Sequence, residues 1–286
     1  MLKFAPPTPL EYFASLVADD DQLQLLEAAA SLAQDEQPGL DVQAVLSEVD
    51  ALARRLRERI ASDASPAQRL RQLTRFFHGE LGFAGNLNNY YAPENSYVHH
   101  VLRSRRGLPI TLSVLLLELA EQIGLQASGV AFPGHFLVKC RIGAGDAVLD
   151  PFTGESLSAS RLEELLAVYR QNSGWPGDLE LPLDFFLRAA APRQILARML
   201  RNLKEIHRAS QDWPRQLAVQ QRLVILLPQD LPERRDRGLV LAELGAAEAA
   251  LADLQAYLAI HGDAPDAPAL RERVAELQVR QRPPLQ

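Results

Sequence analysis

Residues 109–123 are apolar around nearly the whole circumference of a helix, and this constrains the fold more than any other feature of the 286-residue chain. Pro109 suits the first turn of a helix, and Gly124 suits a left-handed cap at its end. A helix without a polar face must be buried on all sides. We therefore predict a helix over 109–123 at the centre of a domain. Its apolar positions are Ile110, Leu112, Val114, Leu115, Leu116, Leu117, Leu119, Ala120 and Ile123.

Helical patterns precede this segment and strand patterns follow it. Asp41 can cap a helix whose apolar stripe begins at Val42, and Ser65 followed by Pro66 is typical of the start of a second helix. Strands are predicted at 127–132, 135–142 and 147–150, with a hairpin at 143–145. This order predicts an α+β fold that is predominantly helical, with a small antiparallel sheet.

The C-terminal third is predicted to be helical throughout, and Gly245 separates one pair of its helices. The helix–turn–helix period resembles a tetratricopeptide repeat. Residues 172–178 have the composition of a linker, so we predict domains at 1–180 and 181–286. Because so short an array buries its faces poorly, we expect the first domain to cap it through residues 181–191. The predicted helices are 194–207, 213–226, 231–244, 246–260 and 268–278.

Composition excludes several classes of protein. The net charge of −6 argues against general nucleic-acid binding, and a single cysteine, Cys140, excludes an internal disulfide framework. No run of eighteen uncharged apolar residues occurs, and early prolines interrupt any signal-peptide core, so we expect a cytoplasmic protein without membrane contact. The oligomeric state is left open.

Three polar features could form a site. The start of the buried helix, His135 at the start of one strand and Asp150 at the end of the next follow the chain order of a papain-type nucleophile–His–Asp triad. In such a triad the carboxylate orients the imidazole. We therefore expect a hydrogen bond between His135 and Asp150.

Three motifs, at 105–113, 129–139 and 149–154, resemble those of bacterial SirB-type proteins, which join a transglutaminase-like core of the papain-like superfamily to tetratricopeptide repeats. The resemblance implies that His135 and Asp150 match the superfamily's catalytic pair. It also puts the nucleophilic cysteine at Pro109, which cannot act as one. Cys140 lies at odd spacing from His135 and is expected to be a buried core thiol, so thiol transglutaminase or protease chemistry is not expected.

Two further groups of residues are candidates for binding a ligand or a metal. The asparagine-rich loop at 85–96 either lines a site or is fixed to the body by its own side chains. A metal site would need His99, His100, His135 and Asp150, which lack close ligand spacing, so no metal or other cofactor is expected. The candidate residues for an anionic ligand are Asn86, Tyr90, Tyr91, Arg106 and Thr111, while Arg103 and Arg105 are interpreted as part of a solvated basic turn.

Three functions follow from these features. The favoured one is a non-catalytic, regulatory or protein-interaction module that binds a protein or peptide through its repeat helices. The second is a hydrolase in which His135 and Asp150 activate a hydroxyl or water. The third is a sensor of an anionic small molecule.

Overall fold

The computed structural model describes residues 7–173 and 181–281. They form two compact units. One is Asp19–Met199, and the other combines Met1–Ala18 with Leu200–Gln286 as far as those segments are described. The domain boundary predicted between residues 180 and 181 stays a prediction. Most of the predicted linker, residues 174–178, lies outside the described residues.

The described residues are mainly helical, and the predicted α+β class is confirmed. The helices are α1 (Pro9–Leu16), α2 (Leu25–Ser31), α3 (Val42–Arg57), α4 (Pro66–Thr74), α5 (Val98–Ser104), α6 (Pro109–Gln122), α7 (Ala159–Ser173), α8 (Leu183–Phe186), α9 (Pro192–Ala209), α10 (Trp213–Leu226), α11 (Leu231–Glu243), α12 (Ala247–Ile260) and α13 (Ala267–Gln281). The strands are β1 (Ala84–Gly85), β2 (Arg106–Gly107), β3 (Ala127–Val130), β4 (Leu137–Ile142), β5 (Gly145–Leu149) and β6 (Ser156–Leu157). Across the described ranges, no helix is both long and apolar enough to span a bilayer.

Helix α6 is the predicted central helix of the unit Asp19–Met199. It packs against α2, α3, α4, α5, β3 and β4, so neighbours surround it. Of the predicted apolar positions on α6, only Leu117 is less than fully buried. Pro109 is its first residue, and Gly124, with φ +68°, follows its C-terminus as predicted.

The sheet has the antiparallel order β3–β4–β5–β6. Val138 pairs with Leu149, and Gly143, with φ +83°, lies in the predicted hairpin between β4 and β5. Leu137 and Val148 pack with Leu162 of α7 on one face. Cys140 has the opposite parity to Leu137 on β4 and therefore lies on the other face.

The caps predicted for α3 and α4 are both confirmed. Asp41 accepts a hydrogen bond from the backbone N–H of Ala44 at 3.1 Å, and Ser65 forms a reciprocal capping box with Gln68. After α4 the chain continues as a π-helix, Arg75–Glu80, which the periodicity of the sequence did not reveal.

The second unit contains α1, residues 200–209 of α9, and helices α10–α13. The predicted packing positions Ala242, Ala250 and Leu254 are buried, and Leu239 and Leu258 pack against them. The N-terminal helix α1 belongs to this unit and packs on α10. There the Arg222 guanidinium lies 4.9 Å from the ring centroid of Phe13.

A carboxylate buried between α11 and α12 links these two helices. Asp253 is 2% exposed, and it accepts hydrogen bonds from Arg234 Nε at 2.9 Å and Arg237 Nε at 2.7 Å. Burial alone would raise the pKa of Asp253, but the hydrogen bonds from Arg237 and Arg234 outweigh it and lower the pKa. The carboxylate is therefore held in its charged form.

The residues between these two arginines extend the same ion-pair network to other helices. Arg235 pairs with Asp266 at 2.6 Å, just before α13, and Asp236 accepts from Lys204 of α9 at 2.5 Å. Gly238 follows directly, and a Cβ there would lie 3.0 Å from Leu254 Cγ, so the absence of a side chain permits the close approach of α11 and α12.

We predict that Asp253→Ala lowers the free energy of unfolding by about 3 kcal/mol, because it leaves two partly buried arginines without their carboxylate. Glu205→Ala is the matched control. It breaks a pair with Arg208 in which both side chains are more than half exposed, and should cost less than about 1 kcal/mol. Urea unfolding of the full chain measures both.

The loss caused by Asp253→Ala should also depend on pH. The pKa of Asp253 is lower in the folded protein, so its contribution is complete at neutral pH and disappears as the pH falls through the folded-state pKa. Equal losses for the two variants at neutral pH, or a difference that persists in acid, would contradict this account.

Candidate functional site

The first position of α6 is where the resemblance puts a nucleophile, and Pro109 occupies it. Proline has no side-chain atom that can attack a substrate. Leu108, the preceding cap residue, makes no side-chain hydrogen bond to the helix. The N-terminus of α6 therefore has neither a thiol nor a hydroxyl at this position.

The two hydroxyls of the next turn are closed to solvent. Thr111 and Ser113 are both 0% exposed. Ser113 Oγ donates to the carbonyl of Pro109 at 2.8 Å, as expected for a hydroxyl inside a helix. Thr111 Oγ1 has no hydrogen-bond partner among the described residues, yet its burial separates it from any ligand. Neither residue is available as a nucleophile.

His135 and Asp150 lie at the same end of the β4–β5 hairpin. The prediction that they are hydrogen-bonded is wrong, because no hydrogen bond joins these two described residues. Asp150 Oδ1 instead accepts from the backbone N–H of Phe152 at 2.8 Å. The backbone of Asp150 bonds to Gly154 and Glu155, at 2.8 and 2.9 Å. The carboxylate thus orders the turn after β5, and no carboxylate within residues 7–173 and 181–281 orients the His135 imidazole by a hydrogen bond.

A different histidine lies near this carboxylate. His78, on the π-helix, has Nδ1 2.8 Å from the carbonyl oxygen of Phe83. Since a carbonyl only accepts, Nδ1 carries the proton, and the unprotonated Nε2 is buried without a described partner. Burial lowers the pKa of His78, opposed by the Phe83 carbonyl and by nearby Asp150. His78 is therefore neutral at physiological pH.

The asparagine-rich loop is held by its own side chains, as one of the two interpretations of this segment predicts. Asn95, 1% exposed, donates from Nδ2 to the carbonyls of Asn89 at 2.6 Å and Tyr90 at 3.1 Å. Asn86 Nδ2 donates to Asn95 Oδ1 at 3.0 Å, while Asn86 Oδ1 accepts from the backbone of Asn89. Asn86 is therefore occupied within the loop.

The aromatic residues of the loop lie against the turn after β5. The ring of Phe152 covers Gly85 so closely that a Cβ there would be 2.0 Å from a ring carbon. Tyr90 lies 6.1 Å from Phe152 between ring centroids, and Tyr91 packs edge-on against Tyr90 at 5.2 Å. Tyr90 and Tyr91 remain 41% and 77% exposed, so both can reach a ligand.

Two arginines before α6 make structural contacts: Arg106 with backbone carbonyls, and Arg105 with an aromatic ring. Arg106 Nη1 donates to the carbonyls of Gly82 at 2.6 Å and Arg105 at 2.9 Å. Arg105 has φ +61°, and its guanidinium lies 4.6 Å from the centroid of Phe83, where burial lowers its pKa. The anion-binding role of Arg106 stays a prediction, and its guanidinium already donates hydrogen bonds to two backbone carbonyls. Arg103 is exposed.

His99 and His100 are two of the residues that a metal site would need. His99 and His100 have ring centroids 6.5 Å apart, and each has a buried Nδ1 without a described partner. No group of three or more histidine, cysteine, aspartate or glutamate side chains in the described part of the chain could hold a metal ion.

Cys140 is buried, as predicted. Burial raises the pKa of its thiol to about 12, with a smaller contribution from Asp146. Since the thiolate is the reactive form, Cys140 is inert at neutral pH in the folded protein.

We predict that Cys140 reacts with iodoacetamide at pH 8 about a thousandfold more slowly in the native protein than in guanidinium chloride, because thiolate is scarce and access is closed. The control is Pro109→Cys combined with Cys140→Ser, which places a thiol at a partly exposed helix N-terminus and should react fast when native. Native Cys140 reacting at the unfolded rate would contradict the assignment. Mass spectrometry of the labelled chain gives both rates.

Sequence reasoning missed two residues beside the predicted site. His78 gave no signal because its neighbour Asp150 is 72 residues away in the sequence. Arg198 of α9 lies with its guanidinium 5.4 Å from the ring centroid of Phe136, next to His135 in the chain. Only the fold brings α9 to this end of β4.

Comparison with known proteins agrees with this architecture. Residues 43–201 match the model of the transglutaminase-like superfamily, and residues 203–275 match a tetratricopeptide repeat model. No solved structure matches the chain significantly.

Similar chains occur in several bacteria. A UPF0162 protein of Xylella fastidiosa (strain Temecula1) is 34% identical over 260 residues, which cover 91% of this chain and 92% of the relative. A UPF0162 protein of Pseudomonas aeruginosa is 30% identical, covering 88% and 90%. Protein SirB1 of Salmonella typhimurium is 27% identical over 220 residues, covering 76% and 78%. The chain is therefore a SirB-type member of the transglutaminase-like superfamily, with tetratricopeptide repeats on its C-terminal side.

Proposed function

We propose that this protein is a non-catalytic recognition module of transglutaminase-like fold. The observation that carries the proposal is Pro109 at the first position of α6, where the superfamily's chemistry requires a thiol. The partial positive charge at a helix N-terminus lowers the pKa of a thiol placed there. Proline has no ionisable side chain, so the helix cannot activate a nucleophile at position 109.

The surroundings of the position support the same conclusion. Cys140 is buried on β4 with a raised pKa, and Thr111 and Ser113 are closed to solvent. The carboxylate of Asp150 bonds to its own turn. In the described part of the chain, a hydrolase using His135 would thus have neither an accessible nucleophile at the start of α6 nor a carboxylate bonded to the imidazole.

The second unit supports a role in protein interaction. Tetratricopeptide repeats generally mediate protein–protein contacts. Here a groove of about 600 Å³ lies between α9, α10 and α11. Its apolar lining comes from Trp213, Leu239 and Val240, and its rim carries charges of both signs, including Arg208 and Glu243. We propose this groove as the place where a peptide segment of a protein partner binds.

We predict no turnover of amide, ester or amine-transfer substrates by the full chain at pH 7–8. His135→Ala is the informative variant, because both a triad and a water-activating His–Asp pair would use that imidazole as base. Chromatographic detection of products after long incubation makes the measurement sensitive. A turnover that His135→Ala abolishes, with the circular dichroism spectrum unchanged, would overturn the non-catalytic assignment.

We also predict that Leu239→Arg prevents peptide binding to the repeat unit. Leu239 lines the groove and is only partly buried, so an arginine there fills the groove and replaces part of its apolar lining with a charged group. Leu244→Arg is the matched control, because Leu244 is 39% exposed and does not line the groove.

The measurement is affinity for peptides selected from a random display library on the full chain. Their affinity should fall at least about tenfold with Leu239→Arg and stay unchanged with Leu244→Arg. Selected peptides that bind both variants equally would place the interaction elsewhere.

A further inference from the structure

Arg198 is a partly buried cation without a described counter-ion. It lies on α9 within the unit Asp19–Met199. Its guanidinium makes no hydrogen bond or ion pair with any residue in the described part of the chain. Arg193, one and a half turns earlier on the same helix, pairs with Asp20 at 2.5 Å. Arg198 therefore differs from Arg193 in having no carboxylate partner among the residues that the structure describes.

Aromatic residues lie near this guanidinium. The ring centroid of Phe136 is 5.4 Å away, and the phenols of Tyr90 and Tyr169 lie close enough to act on its charge. The ring of Tyr169 covers the turn before β4, 3.5 Å from where a Cβ of Gly134 would be. Phe136, which follows His135 in the chain, and two phenols from separate segments thus lie near Arg198.

The positive charge of Arg198 is only partly compensated by its described surroundings. Burial lowers the pKa of Arg198, so the surroundings disfavour its charge, yet a guanidinium stays protonated at physiological pH. A contact with an aromatic face compensates for lost hydration only in part. A single negative charge would restore the balance, and the two phenols could donate hydrogen bonds to it.

We propose that Arg198, with the hydroxyls of Tyr90 and Tyr169, binds the carboxylate of a ligand that carries an apolar or aromatic group next to it. One guanidinium balances one charge, and its planar fork matches the two oxygens of a carboxylate. The rings of Tyr90 and Phe152, 6.1 Å apart between centroids, provide a partly exposed aromatic surface for the adjoining apolar group. This assignment rests on the proposed recognition role and gives the core unit its own ligand.

The test compares N-acetyl-phenylalanine with its neutral amide by NMR titration of the full chain. The acid should bind about tenfold or more tightly than the amide, as expected for a charge-assisted bidentate contact. Arg198→Gln should reduce the affinity for the acid to that for the amide. Arg188→Gln is the matched control, since Arg188 also lies over a phenylalanine, at 4.5 Å from the Phe185 centroid, but is exposed.

The melting temperature without ligand separates a binding role from a structural one. Arg198→Gln should melt no lower than Arg188→Gln, because an uncompensated cation does not stabilise the fold. A markedly lower value would make Arg198 a structural residue and overturn the proposal. So would equal binding of acid and amide, no binding of either, or tighter binding of inorganic phosphate than of the acid.

These outcomes are distinct from the failure of the proposed function. Binding of the acid without chemical change supports the Arg198 site and agrees with a recognition module. Failure to bind removes the Arg198 site only. Deacetylation of the probe that requires His135 would overturn the non-catalytic role itself.

Discussion

Helix α6 has no polar face to turn towards water, and the unit Asp19–Met199 is organised by the need to cover it. Helices α2 to α5 and strands β3 and β4 pack around it. Its N-terminus is fixed as well, because the backbone N–H of Leu108 donates to the carbonyl of Asn95 at 3.0 Å. Gly107 allows this approach, since a Cβ there would lie 2.9 Å from Val101. The asparagine loop is therefore held where the central helix begins.

Local sequence signals predicted the elements that depend on neighbours in the chain. The caps at Asp41 and Ser65, the hairpin glycine Gly143 and the apolar circumference of α6 each express a rule that acts within a few residues. For the same reason, the predicted strands were correct in order although somewhat displaced at their ends. What these signals could not supply was the partner of a polar side chain far away in the sequence.

The site shows this limit most clearly. Asp150 and His135 have matching positions at the end of a hairpin, and this made a bonded pair the natural prediction. The carboxylate bonds instead to the backbone two residues ahead, and the histidine near it comes from a π-helix. The side chains of Arg106 and Asn86 likewise donate hydrogen bonds within the fold, Arg106 to a backbone carbonyl and Asn86 to another side chain. In each case a structural hydrogen bond engages the polar group that a triad or ligand site would need.

The carboxylate of Asp253 has a consequence for how the repeat unit tolerates sequence change. Two arginines three residues apart on α11 donate to its two oxygens, so either arginine alone still leaves the buried charge with a cationic partner. The two arginines are thus partly redundant, whereas the aspartate is unique. Substitutions should therefore accumulate more readily at Arg234, whose side chain is 40% exposed, than at Asp253. Divergent repeats of this kind would keep the aspartate even where one of the two arginines has been replaced.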